Sequence, residues 1–256
     1  MSDEMPVTIE VDGRIAVATL GGPPANALSL SLVDALEHAL DTVEREGARV
    51  LIVRSALEGF FMAGADLKLL GGADRAAFGS YLTRLRRVLE RIGQLPAVSI
   101  AAIDGHAQGG GLELALACTL RVAGSGAKLG VPEIKLGLLP GAGGTQRLPL
   151  LLGRGVALDL LLTGRTVGAE EALRIGLVDR LAKDGANGEA RRLAEVLAGY
   201  PAAALIAIVR CADAARDLPL AEGMQVEADE LLALFEGEDA REGVRAFLEK
   251  RSPAFS

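Results

Sequence analysis

Residues 101–148 read AAIDGHAQGGGLELALACTLRVAGSGAKLGVPEIKLGLLPGAGGTQRL. The stretch opens inside an apolar run, Ala97–Ile103, with the length and composition of a buried strand. Three glycines, Gly109 to Gly111, follow, and Ala107–Thr119 reads as a short helix reached through them. Leu120–Val122 and Lys128–Val131 read as short strands. A glycine triplet at a helix start leaves N–H groups unshielded, which suits a developing oxyanion; it equally suits tight packing. Glu113 is the one acid in an otherwise apolar run, where a charge needs a partner or a function. Glu133, after Pro132, reads as a loop acid between two apolar strands. Singly, these residues fit packing, a salt bridge and a solvated loop. Together, two carboxylates flanking a glycine-lined helix start fit an acid/base pair, although the spacing suits any two-carboxylate chemistry.

Working outward, Thr8–Val11 and Arg14–Leu20 alternate around Asp12–Gly13, a hairpin signal. Ser29–Glu46 carries apolar residues at helical spacing with Ser29 or Ser31 as its cap, and Arg49–Arg54 holds a buried strand. Asp74–Gly93 is a second helix, with a stripe from Phe78 to Ile92, and Pro96 stops it. Strands alternating with helices indicate an α/β fold. In FFMAGADLK (Phe60–Lys68) an Ala-Gly-Ala turn after a strand offers another exposed N–H, or simply a turn with Asp66 as a helix cap. Beyond residue 190 the strand signals end. Residues 190–199, 201–215, 219–236 and 238–250 read as helices, a tail suited to oligomerisation. No convincing repeat is visible in the sequence.

Composition narrows the chemistry. The chain has 256 residues, half of them hydrophobic, yet only six Phe, two Tyr and no Trp, so its core is aliphatic. Its 32 glycines are well above the usual share. Two histidines (His38, His106) and two cysteines (Cys118, Cys211), none at zinc-finger or CxxC spacing, leave acid–base work to carboxylates and give no metal site. His106, before the glycines, is a turn residue or a pocket-lining one. A net charge of −7 disfavours nucleic acid and anionic membranes. The acidic MSDEMP start lacks a signal-peptide pattern and no membrane span is evident, so the expected location is cytoplasmic. Phosphate-loop and nucleophile-elbow readings fail: Gly111–Leu112 stand where a phosphate loop needs Lys and Ser/Thr, and GxSxG is absent.

The motifs as a set resemble the enoyl-CoA hydratase/isomerase (crotonase) family, most closely a stand-alone hydratase. AAIDGHAQGGGLELALAC, KLGVPEIKLGLLPGAGGTQRL and LLTGRTVGAEEALRIGLVD carry the likeness, and PPANALS, MAGADLK and FLEKRSPAF match in order. The resemblance implies a crotonase-like ββα spiral core over residues 1–190. It implies a C-terminal helical region over 191–256 that builds homotrimers or hexamers. It further implies an acyl-CoA substrate of β-oxidation type, whose thioester carbonyl is held by the N–H groups of Ala65 and Gly110. Glu113 and Glu133 fall on the hydratase glutamates. Ala63, Asp66, Leu67, Lys68 and Gly141 fall on substrate-contacting positions, and Phe247 and Lys250 of a neighbouring subunit fall on the CoA side. No cofactor is implied beyond the CoA of the substrate. Having both glutamates favours hydration over a Δ3,Δ2-isomerase, in which Glu133 alone shuttles a proton between C2 and C4.

A different class is a non-catalytic acyl-CoA- or RNA-binding member. Arg84, Arg86, Arg87 and Arg91 on one helix motivate the RNA version; a solvated helix face fits better at this net charge without interleaved aromatics. Two departures stand out. Thr119 replaces an Asp common in the family, which would remove a structural pair, and Gln108 replaces an aliphatic residue beside the glycines, which would alter the pocket lining or be silent.

Overall fold

A computed structural model describes residues 6–256, apart from the Lys68 side chain. The chain divides into two compact units, one ending at Ala194 and one spanning Glu195–Ser256. In the first, the expected hairpin is β1 (Val7–Asp12) and β2 (Ile15–Leu20), antiparallel across Asp12–Gly13. Helix α1 (Leu30–Glu46) is capped by Ser29, whose Oγ accepts from Leu32 N–H at 3.2 Å. β3 (Val50–Ser55), β4 (Phe60–Met62), α2 (Leu67–Gly72) and α3 (Arg75–Gln94) follow, α3 capped by Asp74. Then come β5 (Val98–Ile103), β6 (His106–Gln108), α4 (Gly110–Ala117), β7 (Leu120–Gly124) and β8 (Lys128–Gly130). A 3-10 helix (Pro132–Leu136) leads to α5 (Gly144–Leu152), α6 (Arg154–Thr163), β9 (Thr166–Gly168), α7 (Ala169–Arg174), β10 (Arg180–Ala182) and α8 (Ala186–Ala198).

The larger sheet runs β1-β2-β3-β5-β7-β10 and is parallel after the hairpin; the smaller runs β4-β6-β8-β9. A repeat invisible in the sequence is plain here: one strand in the large sheet, a short strand in the small one, then a helix. All six residues of β5 are buried, as its apolar run requires for a strand covered on both faces. The core is aliphatic, with Leu20, Leu32, Leu36, Leu89 and Ile100 fully buried and Phe61 the only aromatic among the largest such side chains.

The small sheet places the site. β4, β6 and β8 lie side by side and parallel. Their C-terminal ends release Ala63–Asp66, Gly109–Gly111 and Val131–Glu133 respectively, so three segments distant in sequence emerge on one edge, the usual place for ligands in parallel sheets.

Two local expectations are corrected. Ala107–Thr119 is not one helix: His106–Gln108 pairs with Lys128–Gly130 as a strand, and the helix begins only at Gly110. Glu133 lies on the 3-10 helix, whose Pro132 supplies a first-turn φ, rather than in a loop between strands. The structure adds three short helices to the sequence reading, α5, α6 and α7, of 9, 10 and 6 residues.

The second unit holds α9 (Ala202–Asp217), α10 (Leu220–Phe235) and α11 (Glu238–Glu249), so the helical tail is as read. Its C-terminal turn is tied by Glu242, which accepts from Arg245, Arg251 and the Ala254 N–H; these partners hold its carboxyl well below the usual range.

Candidate active site

The glycine triplet serves both roles left open by the sequence. Gly109 has φ +52° and donates its N–H to Gly130 O at 2.8 Å, closing the turn between β6 and α4. A Cβ on Gly111 would strike the Met62 carbonyl, so a bare Cα lets α4 sit directly on β4. Gly110 N–H, in the first helical position, has no carbonyl of its own helix to reach.

The partner N–H comes from the β4 side. Leu28 and Ala65 form an isolated parallel bridge, in which Leu28 N–H donates to Gly64 O at 2.8 Å. In that register the Ala65 N–H points away from Leu28. Gly64 packs so closely on the α4 entrance that a Cβ there would lie 3.6 Å from the Gly110 nitrogen. The Gly64–Ala65 segment and the start of α4, which follow two neighbouring strands, are thus packed against each other. Leu28 is held in turn by Tyr81, whose hydroxyl donates to Leu28 O at 2.8 Å. Burial, then Asp66 and Glu113, push the Tyr81 hydroxyl up to about 12, so it stays a proton donor.

Glu113, one turn into α4, is 3 % exposed. Its Oε1 accepts from Ala142 N–H at 2.7 Å, in the loop before α5, and from Gly144 N–H at 2.8 Å, at the first residue of α5. Burial raises its pKa, while these two N–H groups, Arg147 and Arg86 pull it back.

Glu133 is treated differently. Its Oε2 is buried and meets no hydrogen-bond donor among the described residues. Burial, reinforced by the negative charge of Glu113, raises its pKa to about 7. A Cβ on Gly109 would lie 2.5 Å from Glu133 Oε1, so the glycine turn and this carboxyl share one boundary. Two carboxyls, one clamped by backbone donors and one with an unmatched oxygen, stand beside the Gly109–Gly111 turn and the start of α4, where backbone N–H groups lack helix partners: parts that can polarise a carbonyl and move protons beside it.

The other expected residues fall as follows. Asp66 Oδ1 accepts from Leu69 N–H at 3.4 Å, the capping role, while Ala63 and Leu67 are exposed on the same segment. The Lys68 side chain lies outside the described residues. Gly141 adjoins the Glu113 clamp, and its carbonyl accepts from Arg86 Nε at 2.6 Å. Phe247 and Lys250 are exposed in the second unit, at the end of α11.

Two of the four clustered arginines are spent on ion pairs with α1: Arg84 with Asp34 and Glu37, and Arg91 with Asp41 (2.8 Å) and Glu44 (3.2 Å). His106 is exposed on β6 and rests against Phe60, with ring centroids 5.4 Å apart. Gln108 is held on the small sheet, its amide donating to Lys128 O at 2.9 Å. Thr119 keeps a structural pair after all, with Ser99: Thr119 N–H donates to Ser99 Oγ at 2.9 Å and Ser99 N–H to Thr119 Oγ1 at 3.2 Å. Leu28, Tyr81, Arg86 and Arg147 are the residues sequence reasoning missed; only spatial proximity reveals them.

A family model described as enoyl-CoA hydratase/isomerase matches residues 10–256. A probable enoyl-CoA hydratase of Bacillus subtilis (strain 168) is 41% identical, over 97% of this chain and 98% of the relative. The mitochondrial methylglutaconyl-CoA hydratase of Mus musculus is 38% identical over 90% of this chain and 75% of its own length. Among solved structures, an enoyl-CoA hydratase from Geobacillus kaustophilus HTA426 superposes with a TM-score of 0.96 at 36% identity, covering 100% of this chain and 98% of that one.

Proposed function

The chain belongs to the enoyl-CoA hydratase/isomerase family and has the crotonase fold, and from that premise we propose that it adds water across the C2=C3 bond of a 2-enoyl-CoA thioester. The observation that carries this reading is the unequal setting of two adjacent glutamates: Glu113 held by two N–H donors, Glu133 with a buried, unmatched oxygen and a pKa of about 7.

The thioester oxygen sits between the N–H groups of Ala65 and Gly110, which stabilise the negative charge it gains. Glu113, ionised, orients a water molecule and takes one of its protons as the water oxygen bonds to C3. The C2=C3 π pair moves into an enolate, and protonated Glu133 delivers its proton to C2. The cycle closes when Glu113 releases a proton and Glu133 takes one up. CoA enters as part of the substrate, and the scheme uses no metal or redox cofactor. Ala63, Asp66, Leu67, Lys68 and Gly141 line the approach of the acyl-CoA in this reading, with Phe247 and Lys250 contributed by a neighbouring copy.

Self-association fits the surface. In the first unit, Ile134, Leu138, Leu139, Leu150 and Leu162 border an apolar hollow of about 600 Å³. In the second, Phe235 and Phe247 are 73% and 83% exposed. Faces of this kind on a soluble chain mark interaction surfaces, and a homotrimer or a pair of trimers is the assembly we assign. Light scattering coupled to gel filtration checks it; a monomer at all concentrations refutes it.

The functional test is loss of conjugated-enoyl absorbance with crotonyl-CoA, extended to longer and branched 2-enoyl-CoA thioesters, methylglutaconyl-CoA included. Turnover of a 3-enoyl-CoA with none of any 2-enoyl-CoA refutes hydration and favours isomerisation.

A further inference from the structure

Arg84 and Arg91 of α3 pair with acids of α1. Arg86, on the same helix, instead reaches the segment that clamps Glu113, its Nε donating to the Gly141 carbonyl at 2.6 Å. That carbonyl and the Ala142 N–H are two ends of a single peptide group, and the Ala142 N–H donates to Glu113 Oε1 at 2.7 Å. A cation on a peptide oxygen polarises the group and strengthens the donor at its nitrogen. Arg147 is placed otherwise: its Nη1 donates to Ala142 O at 3.1 Å, on the next peptide, whose N–H is not part of the clamp.

We propose that Arg86 is a positioning residue for Glu113, acting through the Gly141–Ala142 peptide: its guanidinium holds the carbonyl end of the group whose N–H end holds the carboxylate. The charge does the same work from a distance, since Arg86 is among the groups that draw the Glu113 pKa down. The ionisable groups around Glu113 are Tyr81 and Arg86 on α3, Arg147 on α5 and Glu133 on the 3-10 helix. Of the two cations, Arg86 is the exposed one, so its influence weakens as salt rises.

The inference rests on Glu113 acting as the ionised, water-orienting carboxylate. Its test therefore has one readout that needs no turnover. The Glu113 carboxyl is titrated by carbon-13 NMR in wild type, Arg86→Ala, Arg86→Gln and Arg86→Lys, with Glu113→Gln identifying the resonance. Loss of the cation in Arg86→Ala raises the midpoint by about half a pH unit, and Arg86→Lys restores it. Arg86→Gln, whose amide still donates but carries no charge, keeps the raised midpoint. With crotonyl-CoA, Arg86→Ala lowers kcat about 3- to 10-fold with KM within about twofold, and Arg86→Lys recovers most of the loss.

An unchanged midpoint in Arg86→Ala overturns the proposal, whatever happens to kcat. So does a kcat loss that Arg86→Lys shares in full together with a lowered Tm, the pattern of a helix–loop staple. Should the wild type hydrate no 2-enoyl-CoA at all, the functional reading fails separately and the midpoints alone decide the role of Arg86.

Discussion

The backbone of Gly109 and the carboxyl of Glu133 are in such close contact that a methyl group added to the former would lie 2.5 Å from Oε1 of the latter. Gly109→Ala has two consequences: it places an L-residue at φ +52°, ψ −124°, and it displaces Glu133. A misplacement of this size costs on the order of 100-fold in turnover. Gly155→Ala is the matched control, because its Cβ would meet nothing within 4 Å in the first turn of α6. It should retain activity and gain up to about 1 kcal/mol of stability. Steady-state kinetics and thermal melts of the two variants, side by side, provide the check.

Glu133 carries its own pH signature. Its folded pKa of about 7 lies above the roughly 4.3 of an unfolded glutamate, so the stability it contributes is full below the lower value and is lost as pH rises through the upper one. Glu133→Gln removes that loss. The variant should melt higher than wild type at pH 8, by at least about 2 °C, and close to it at pH 4. In catalysis the same ionisation withdraws the proton destined for C2, so wild-type kcat should fall as pH rises through about 7. A flat profile from pH 6 to 8.5 would exclude Glu133 as the proton donor.

For Glu113 the expected split is between chemistry and binding. Glu113→Gln leaves an oxygen to accept from Ala142 and Gly144 but removes the base. Turnover should drop by about 100-fold or more. Calorimetric affinity for an acyl-CoA product should stay close to wild type, and a turnover within twofold would be fatal to the assignment.

Tyr81 tests the support behind the N–H pair. Tyr81→Phe strips the Leu28 carbonyl of its buried donor, at a cost of about 1–3 kcal/mol in stability. Leu28 also fixes the Gly64 segment, so kcat should fall about 3- to 10-fold while the pH profile keeps its shape. Measuring kcat, KM and Tm together separates this from general destabilisation.

How much of this was legible in the sequence follows from the range of the forces involved. The hairpin, α1, α3 and β5 declare themselves because burial imposes periods of two or 3.6, or a continuous apolar run, on neighbouring residues. Glu113 was conspicuous for a related reason, a lone charge in an apolar helix. His106–Gln108 was misread because three residues show no period; only pairing with β4 and β8 makes them a strand. The same holds for the clamp on Glu113. Ala142 and Gly144 act through their N–H groups, which every non-proline residue has, and Arg86 and Tyr81 act across 55 and 53 positions, so their roles exist only once the chain is folded.

The backbone N–H groups of Ala65 and Gly110 have a consequence for inheritance. They belong to the main chain, so of all substitutions at these positions only proline deletes either one; other changes reach them through the backbone path set by residues such as Leu28, Gly64 and Gly111. Each glutamate, by contrast, is one substitution away from a different side chain. A descendant of this sequence can therefore exchange its two buried carboxyls one at a time while these backbone donors persist. The most durable part of the site is the part that no side chain encodes.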